Sequence, residues 1–249
     1  MRYYDTHLHF PTPDRAGVDR FLSYVQSEPS LIGGNLILNT AGDVETYCRY
    51  RDEIPPRFVV VAYYGAPAEL QFRPASGWYK VHPRLQRIDR AHIPQVVADV
   101  RALQPTPRGL IVDCFPWGPE LEYDISLPLV IALAMALPEC SVLATHGGGY
   151  HAWAFRSHTV SLKNVVYDFS ATLSYYIGSD VLRPLQNYLR FVPHRVLFGS
   201  DWPFTDPVEQ LDELTRLASE IGFGTGELER VMLENASRLW TLDEQGAHP

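Results

Sequence analysis

Cysteine is scarce in this chain: three among 249 residues, at Cys48, Cys114 and Cys140. None stands in a CxxC pair, so neither a zinc ribbon nor a disulfide framework is indicated. We expect these thiols to serve packing in a reducing, cytoplasmic setting. Basic residues are outnumbered, with Lys+Arg 21 against Asp+Glu 29 and a net charge of −8. That balance, with no Lys/Arg run, weighs against nucleic acid and against an anionic membrane surface as partners. Long hydrophobic runs are missing too. The longest, LPLVIALAMAL (127–137), is too short to span a bilayer. A polar motif at residues 5–10 leaves no room for a charged and then apolar leader, so no signal peptide is expected. No repeat of fixed period and no low-complexity tract is visible. The first apolar run ends in HLHFPTPD, without a GxGxxG, which disfavours a dinucleotide-binding open sheet.

What is present is ordinary for a soluble globular chain: 46% hydrophobic and 20% charged residues, in a length that buries a substantial core. Short β-rich runs recur at 2–10, 35–39, 57–64, 77–82, 109–114, 141–146, 164–170 and 195–200. Several are almost continuously apolar, as parallel strands covered on both faces must be. Helical patterns separate them. Asp14 caps one bearing Val18, Phe21, Leu22 and Val25; Asp43 caps another bearing Val44, Tyr47 and Cys48. Ile93, Val96, Val97 and Val100 share one face, as do Val181, Leu182, Leu185 and Leu189. Asp206-Pro207 opens a helix bearing Val208, Leu211, Leu214 and Leu217, and a last helix runs from about Glu227 to Trp240. The link 65–76 holds Pro67 and Pro74 and reads as loop or helix. Eight strands alternating with helices predict a (β/α)8 TIM barrel, one domain over residues 1–249, distorted where that link lacks a helix.

In such a barrel the site lies at the C-terminal ends of the strands. His7 and His9 close the first run, Lys80 and His82 the fourth, and Asp113 the fifth. His146 closes the sixth, Asp168 lies near the end of the seventh, and Asp201 follows the eighth. Residues i and i+2 of a strand share a face, so His7 and His9 would project side by side with Asp5 below them. Two adjacent imidazoles can grip one divalent cation.

The ordered set DTHLHF, YKVHP, ATHGGG, FGSDWPF and ENASRLW resembles the amidohydrolase superfamily from Asp5 to Trp240. More narrowly it is similar to the branch of aminocarboxymuconate-semialdehyde decarboxylase and the pyrone-dicarboxylate and sugar-lactone lactonases. The resemblance implies metal ligands at His7, His9, His146 and Asp201, with Asp201 also handling a proton. It implies one divalent ion, zinc first and manganese as the alternative. The fifth run ends in IVDCFPWG, with Asp113 where fuller ligand sets carry a histidine. Some lactonases of this branch work without metal, so a metal-free variant is left open. Lys80 would bind a substrate carboxylate, or carry a bridging carbamate, or pair with Asp113. Lys80 and His82 join Asp201 and His146 as catalytic candidates. Arg84 and Arg87 are candidates for clamping an anionic group. Trp117, Tyr175 and Trp202 are candidates for flanking a cyclic or aromatic small molecule. Hydrolysis of a small cyclic amide, lactone or ester is the first expectation. Decarboxylation of an aromatic or unsaturated acid is the alternative. Barrels of this kind often pair, so a homodimer is also expected as an option.

Overall fold

The eight strands are Tyr3–His9 (β1), Leu31–Leu38 (β2), Phe58–Tyr63 (β3), Trp78–Val81 (β4), Gly109–Val112 (β5), Ser141–Ala144 (β6), Val165–Asp168 (β7) and Val196–Leu197 (β8). They lie in chain order, with each paired neighbour parallel. The computed structural model describes residues 1–65, 72–104 and 106–240; the middle of the 65–76 link lies outside them. The barrel closes beyond the short β8. Thr6 N donates to Phe198 O at 3.0 Å, Asp201 N to His7 O at 2.8 Å and His9 N to Trp202 O at 2.9 Å. Fold class and strand positions match the sequence pattern, with one extension: β2 begins at Leu31. Gly33-Gly34 resembles a turn, but it is strand. A Cβ on Gly33 would lie 2.6 Å from Arg57 O, and one on Gly34 2.6 Å from Asp5 O, so the neighbouring backbones leave no room for side chains there.

Helices cover the outside: Arg15–Ser27 (α1), Ala41–Tyr50 (α2), Ile93–Ala102 (α3), Ser126–Ala136 (α4), Ala152–Thr159 (α5), Thr172–Tyr175 (α6), Arg183–Phe191 (α7), Pro207–Glu220 (α8), Thr225–Glu229 (α9) and Asn235–Trp240 (α10). Among the described residues no helix is long and apolar enough to cross a membrane. Asp14 caps α1 by accepting from Gly17 N at 2.8 Å. The α2 cap is Thr40, not Asp43. Thr40 Oγ1 accepts from Asp43 N, and Asp43 Oδ2 accepts from Thr40 N, a reciprocal box that makes Asp43 the third helical residue. The expected helix from Glu227 is broken by a π turn over Arg230–Glu234. On α8, Leu214 and Leu217 are buried, but Val208 points to solvent. Asp206 does cap α8, accepting from Val208 N at 2.9 Å. Asp206→Ala should therefore cost about 1 kcal/mol and lower the melting temperature by about 2–4 °C, measurable by thermal denaturation. An unchanged melting point would remove that cap from the stability of α8.

Inside the barrel, Ile37, Val61, Ile111, Leu143 and Leu197 form an apolar floor with Tyr4 and Trp78. Trp240 of α10 plugs it from below, its ring 4.5 Å from Trp78 and 5.7 Å from Tyr4. Two residues further along an inward face of a strand, polarity changes. Trp78 gives way to Lys80 and His82, Ile111 to Asp113, and Val166 to Asp168 and Ser170. The barrel is thus greasy at its base and ionisable at its mouth.

Candidate active site

β1 carries the first two site residues, and it does so through an irregularity. Its pairing with β2 slips between Asp5 and Leu8, a bulge that switches the inward face from Tyr4 to His7 and His9. Their rings stand 5.0 Å apart. Asp5 does not simply sit below them. Its Oδ1 accepts from His7 N and Ser200 N, tying β1 to the chain after β8. Burial pushes the Asp5 carboxyl up to about 7, against the lowering by those two N–H groups.

Among the described residues four non-glycine residues have positive φ: Arg87 (φ 53) in the loop after β4, and His146 (φ 63), Ala171 (φ 56) and Asp201 (φ 69), which follow β6, β7 and β8 respectively. Such backbone costs on the order of 1–3 kcal/mol per residue and persists where the surroundings fix it. Here it aims side chains into the mouth. The glycines after His146 continue the left-handed path, and a Cβ on Gly148 would lie 2.3 Å from the Phe155 ring. The run is thus a tight turn packed onto α5.

The polar atoms converge. His7 Nε2 and His9 Nε2 lie 3.5 and 3.3 Å from Asp201 Oδ1. His9 Nδ1 lies 3.3 Å from both Ile37 O and Asn39 Nδ2; the carbonyl can only accept, and with the proton on that side Nε2 is bare. A bare imidazole nitrogen facing an ionised oxygen repels it unless a proton or cation stands between. His7, His9 and Asp201 accordingly form one group that could hold a metal ion, and their donor chemistry suits a borderline divalent cation. Burial, seconded by the Lys80 charge, lowers His7 to about 4, which keeps it neutral and ligand-ready near neutral pH. Burial opposes ionisation of Asp201, but His7 and His9 outweigh it and hold its carboxyl below the ordinary value. His7, His146 and Asp168 form a second possible group. There the Nδ1 atoms of both imidazoles already have hydrogen-bond partners on Ser170.

His146 stands outside the first group, although the motif places it among the ligands. Its ring is 4.9 Å from that of His7, but its Nε2 faces Asp113 Oδ2 at 3.3 Å. Asp113, where a histidine might stand, gathers three cations or potential cations. Lys80 Nζ and His82 Nε2 each lie 3.6 Å from the same oxygen. Burial works against the Asp113 charge, yet His82, Lys80 and His146 hold it well below the carboxylate range. Conversely, burial alone would lower His146, and Asp113 reverses this and raises it. His82 stays low, at about 4, because burial exceeds the pull of Asp113. Lys80 is fully buried and also reaches His7 Nε2 at 3.3 Å.

A cavity of about 510 Å³ opens onto this centre, lined in part by His9, His82, Asp113, His146 and Asp201. Arg84, Trp117 and Tyr175 line it as the sequence suggests, together with Phe115 and Phe204. Arg87 lines an adjoining cavity that shares Arg84, Asp113 and Phe115. Trp202 is placed elsewhere. It stacks on Tyr24 at 4.5 Å and lines a separate surface cleft, because the strand pairing of Leu8 with Trp202 turns its side chain outward. His158 is exposed on α5, and His151 contacts Leu121 O. Sequence reasoning missed Ser170, whose hydroxyl touches His7 and His146. The period-two signal was there, since Ser170 follows Asp168 by two.

Imidazoles and carboxylates gathered at the C-terminal mouth of a parallel barrel, in groups that could hold a metal ion, define a class of metal-dependent barrel enzymes. The amidohydrolase family profile matches residues 92–242, more than half of the chain, and the protein belongs to that family. No curated protein matches the chain. Among solved structures it is similar to an amidohydrolase from Burkholderia multivorans with bound zinc (TM-score 0.63, 19% identity, 97% of this chain and 100% of that one). It is also similar to 2,6-dihydroxybenzoate decarboxylase from Rhizobium (TM-score 0.52, 14% identity, 98% and 100%). A third is a TatD homologue from Escherichia coli (TM-score 0.56, 12% identity, 97% and 98%). At these identities the likeness is one of fold.

Proposed function

We propose that this enzyme hydrolyses a small cyclic amide, lactone or ester at a single divalent ion, zinc before manganese, held by His7, His9 and Asp201. The observation that carries this is the convergence of the His7 and His9 Nε2 atoms on Asp201 Oδ1. A divalent ion held there would bring the pKa of water to about 7 and polarise a carbonyl. Asp201 is placed to take a proton from the attacking water. His146, held toward its charged form by Asp113, is placed to deliver a proton from Nε2 to the leaving oxygen or nitrogen. Lys80 balances the buried charge of Asp113 and sits close enough to His7 to orient a substrate oxygen. His82 completes the wall beside Asp113. Arg84 and, in the adjoining cavity, Arg87 are placed to receive an anionic substituent, and Trp117, Tyr175 and Phe204 flank a flat ring.

Decarboxylation of an aromatic acid is the second possibility, favoured by one observation. The His146–Asp113 pair facing an aromatic-lined cavity could protonate a ring carbon, after which carbon dioxide leaves. Elemental analysis of the purified protein should find about one divalent ion per chain. Incubation with a panel of lactones, cyclic amides and aromatic acids should release an acid without carbon dioxide. Carbon dioxide release would select decarboxylation. A protein that binds no divalent ion while turning over a lactone would end the metal-centred assignment.

A further inference from the structure

The Ser170 hydroxyl is fully buried between two histidines of the site. Its Oγ lies 2.9 Å from His7 Nδ1 and 3.1 Å from His146 Nδ1. It also lies 2.5 Å from Asp168 Oδ1. Asp168 Oδ1 already accepts from His146 N at 2.9 Å and Ser170 N at 3.0 Å, so that oxygen is an acceptor. A hydroxyl has one proton and two lone pairs. Its proton therefore goes to Asp168, and only lone pairs remain for the imidazoles. His7 can bond to Ser170 only by carrying its proton on Nδ1. His146 is fixed by a second atom of the same residue: its Nδ1 lies 2.7 Å from the Ser170 carbonyl oxygen, which can only accept.

We propose that Ser170, anchored by Asp168, is a positioning residue that sets the tautomer of both histidines, through its hydroxyl for His7 and its carbonyl for His146. His7 then presents a bare Nε2 to the mouth of the barrel, with Lys80 Nζ 3.3 Å away, while the Nε2 of His146 stays available to exchange a proton beside Asp113 Oδ2. Hydrogen bonds behind ligating imidazoles orient them and raise their basicity, and losing such a partner typically lowers metal affinity about 10–100-fold. Part of the inference rests on His7 being a metal ligand; the tautomer assignment does not.

Two atoms of one residue acting on two rings give a differential test. Nitrogen-15 NMR of the metal-free, full-length protein, labelled at histidine and held at alkaline pH, reads which ring nitrogen bears the proton. In the unmodified protein both His7 and His146 should carry a proton on Nδ1; an Nδ1 without one on either ring would overturn the proposal without any variant. In Ser170→Ala the proton of His7 should redistribute in part toward Nε2, opposed by Lys80 at Nε2 and by Asp168 Oδ2, 3.6 Å from Nδ1, while His146, which keeps its carbonyl partner, should not change. No change at His7, or equal change at both, would overturn it. Zinc affinity of the same variant, measured by chelator competition, should fall about 10–100-fold. A fall in zinc affinity with an unmoved His7 tautomer would mean that Ser170 acts otherwise. Correct tautomers in a protein that never binds zinc would sink the metal assignment instead.

Discussion

Asp201→Asn should lower turnover by about two orders of magnitude or more while leaving the fold intact. Asn is close in size to Asp and is one of the few residues that tolerate the left-handed backbone held at φ 69. The hydrogen bonds of the Asp201 backbone, N to His7 O and O from Phe204 N, do not involve the side chain. What the change removes is the negative charge on which His7 and His9 converge and the only carboxylate of their group. The amide cannot take a proton from water and is a poor ligand, so kcat should fall and bound metal should fall with it. The check is kcat and metal content of the variant beside its melting curve. Full activity in a metal-replete variant would remove Asp201 from the chemistry under both the hydrolytic and the decarboxylating assignment.

The largest stability effect is expected from a residue remote from the site. Arg195, at the entry to β8, is 6% exposed. Its Nε donates to Val165 O at 2.6 Å and its Nη1 to Val160 O at 2.9 Å. Nη2 reaches Thr159 O, Leu162 O and the Tyr167 hydroxyl. One guanidinium thus collects the end of α5, the turn after it and the start of β7. Arg195→Met keeps the length of the stem and removes every donor. Several carbonyls then lose their partner at about 1–3 kcal/mol each where water cannot replace it. We expect a net loss of about 4 kcal/mol, or a melting temperature lower by on the order of 10 °C. Urea denaturation should show the midpoint falling with an unchanged slope. A loss below about 1 kcal/mol would mean that water reaches those carbonyls and that Arg195 is dispensable.

The barrel and its rim were legible because two periodic signals agree. Apolar runs of strand length alternate with helical faces, and ionisable residues recur where each run stops. That pattern alone puts His7, His9, Lys80, His82, Asp113, His146 and Asp201 around one mouth. Where the structure adds to or departs from that pattern, the causes are local. Glycines at 33 and 34 resemble a turn but are required by close backbones. The bulge in β1 redirects Asp5 into the seam between the first and last strands, which a strict period of two does not reveal. Trp202 follows a left-handed residue, so its direction depended on backbone geometry that no composition encodes. Arg195 looks like a polar strand entrance; only the fold brings four carbonyls to it. The motif puts His146 among the ligands; in the structure its Nε2 faces Asp113, and it belongs to the group with His7 and Asp168.

The bonds that close the barrel join residues as much as 195 positions apart, and they are the same neighbours that bring the paired imidazoles to Asp201. Closing the cylinder and assembling the cation group are consequently a single event. Were that seam open, the imidazoles would lie on one edge and the carboxylate on the other, too far apart to share an ion. An ion seated in the finished cluster would work as a rivet across that joint, making occupancy a report on the integrity of the whole ring.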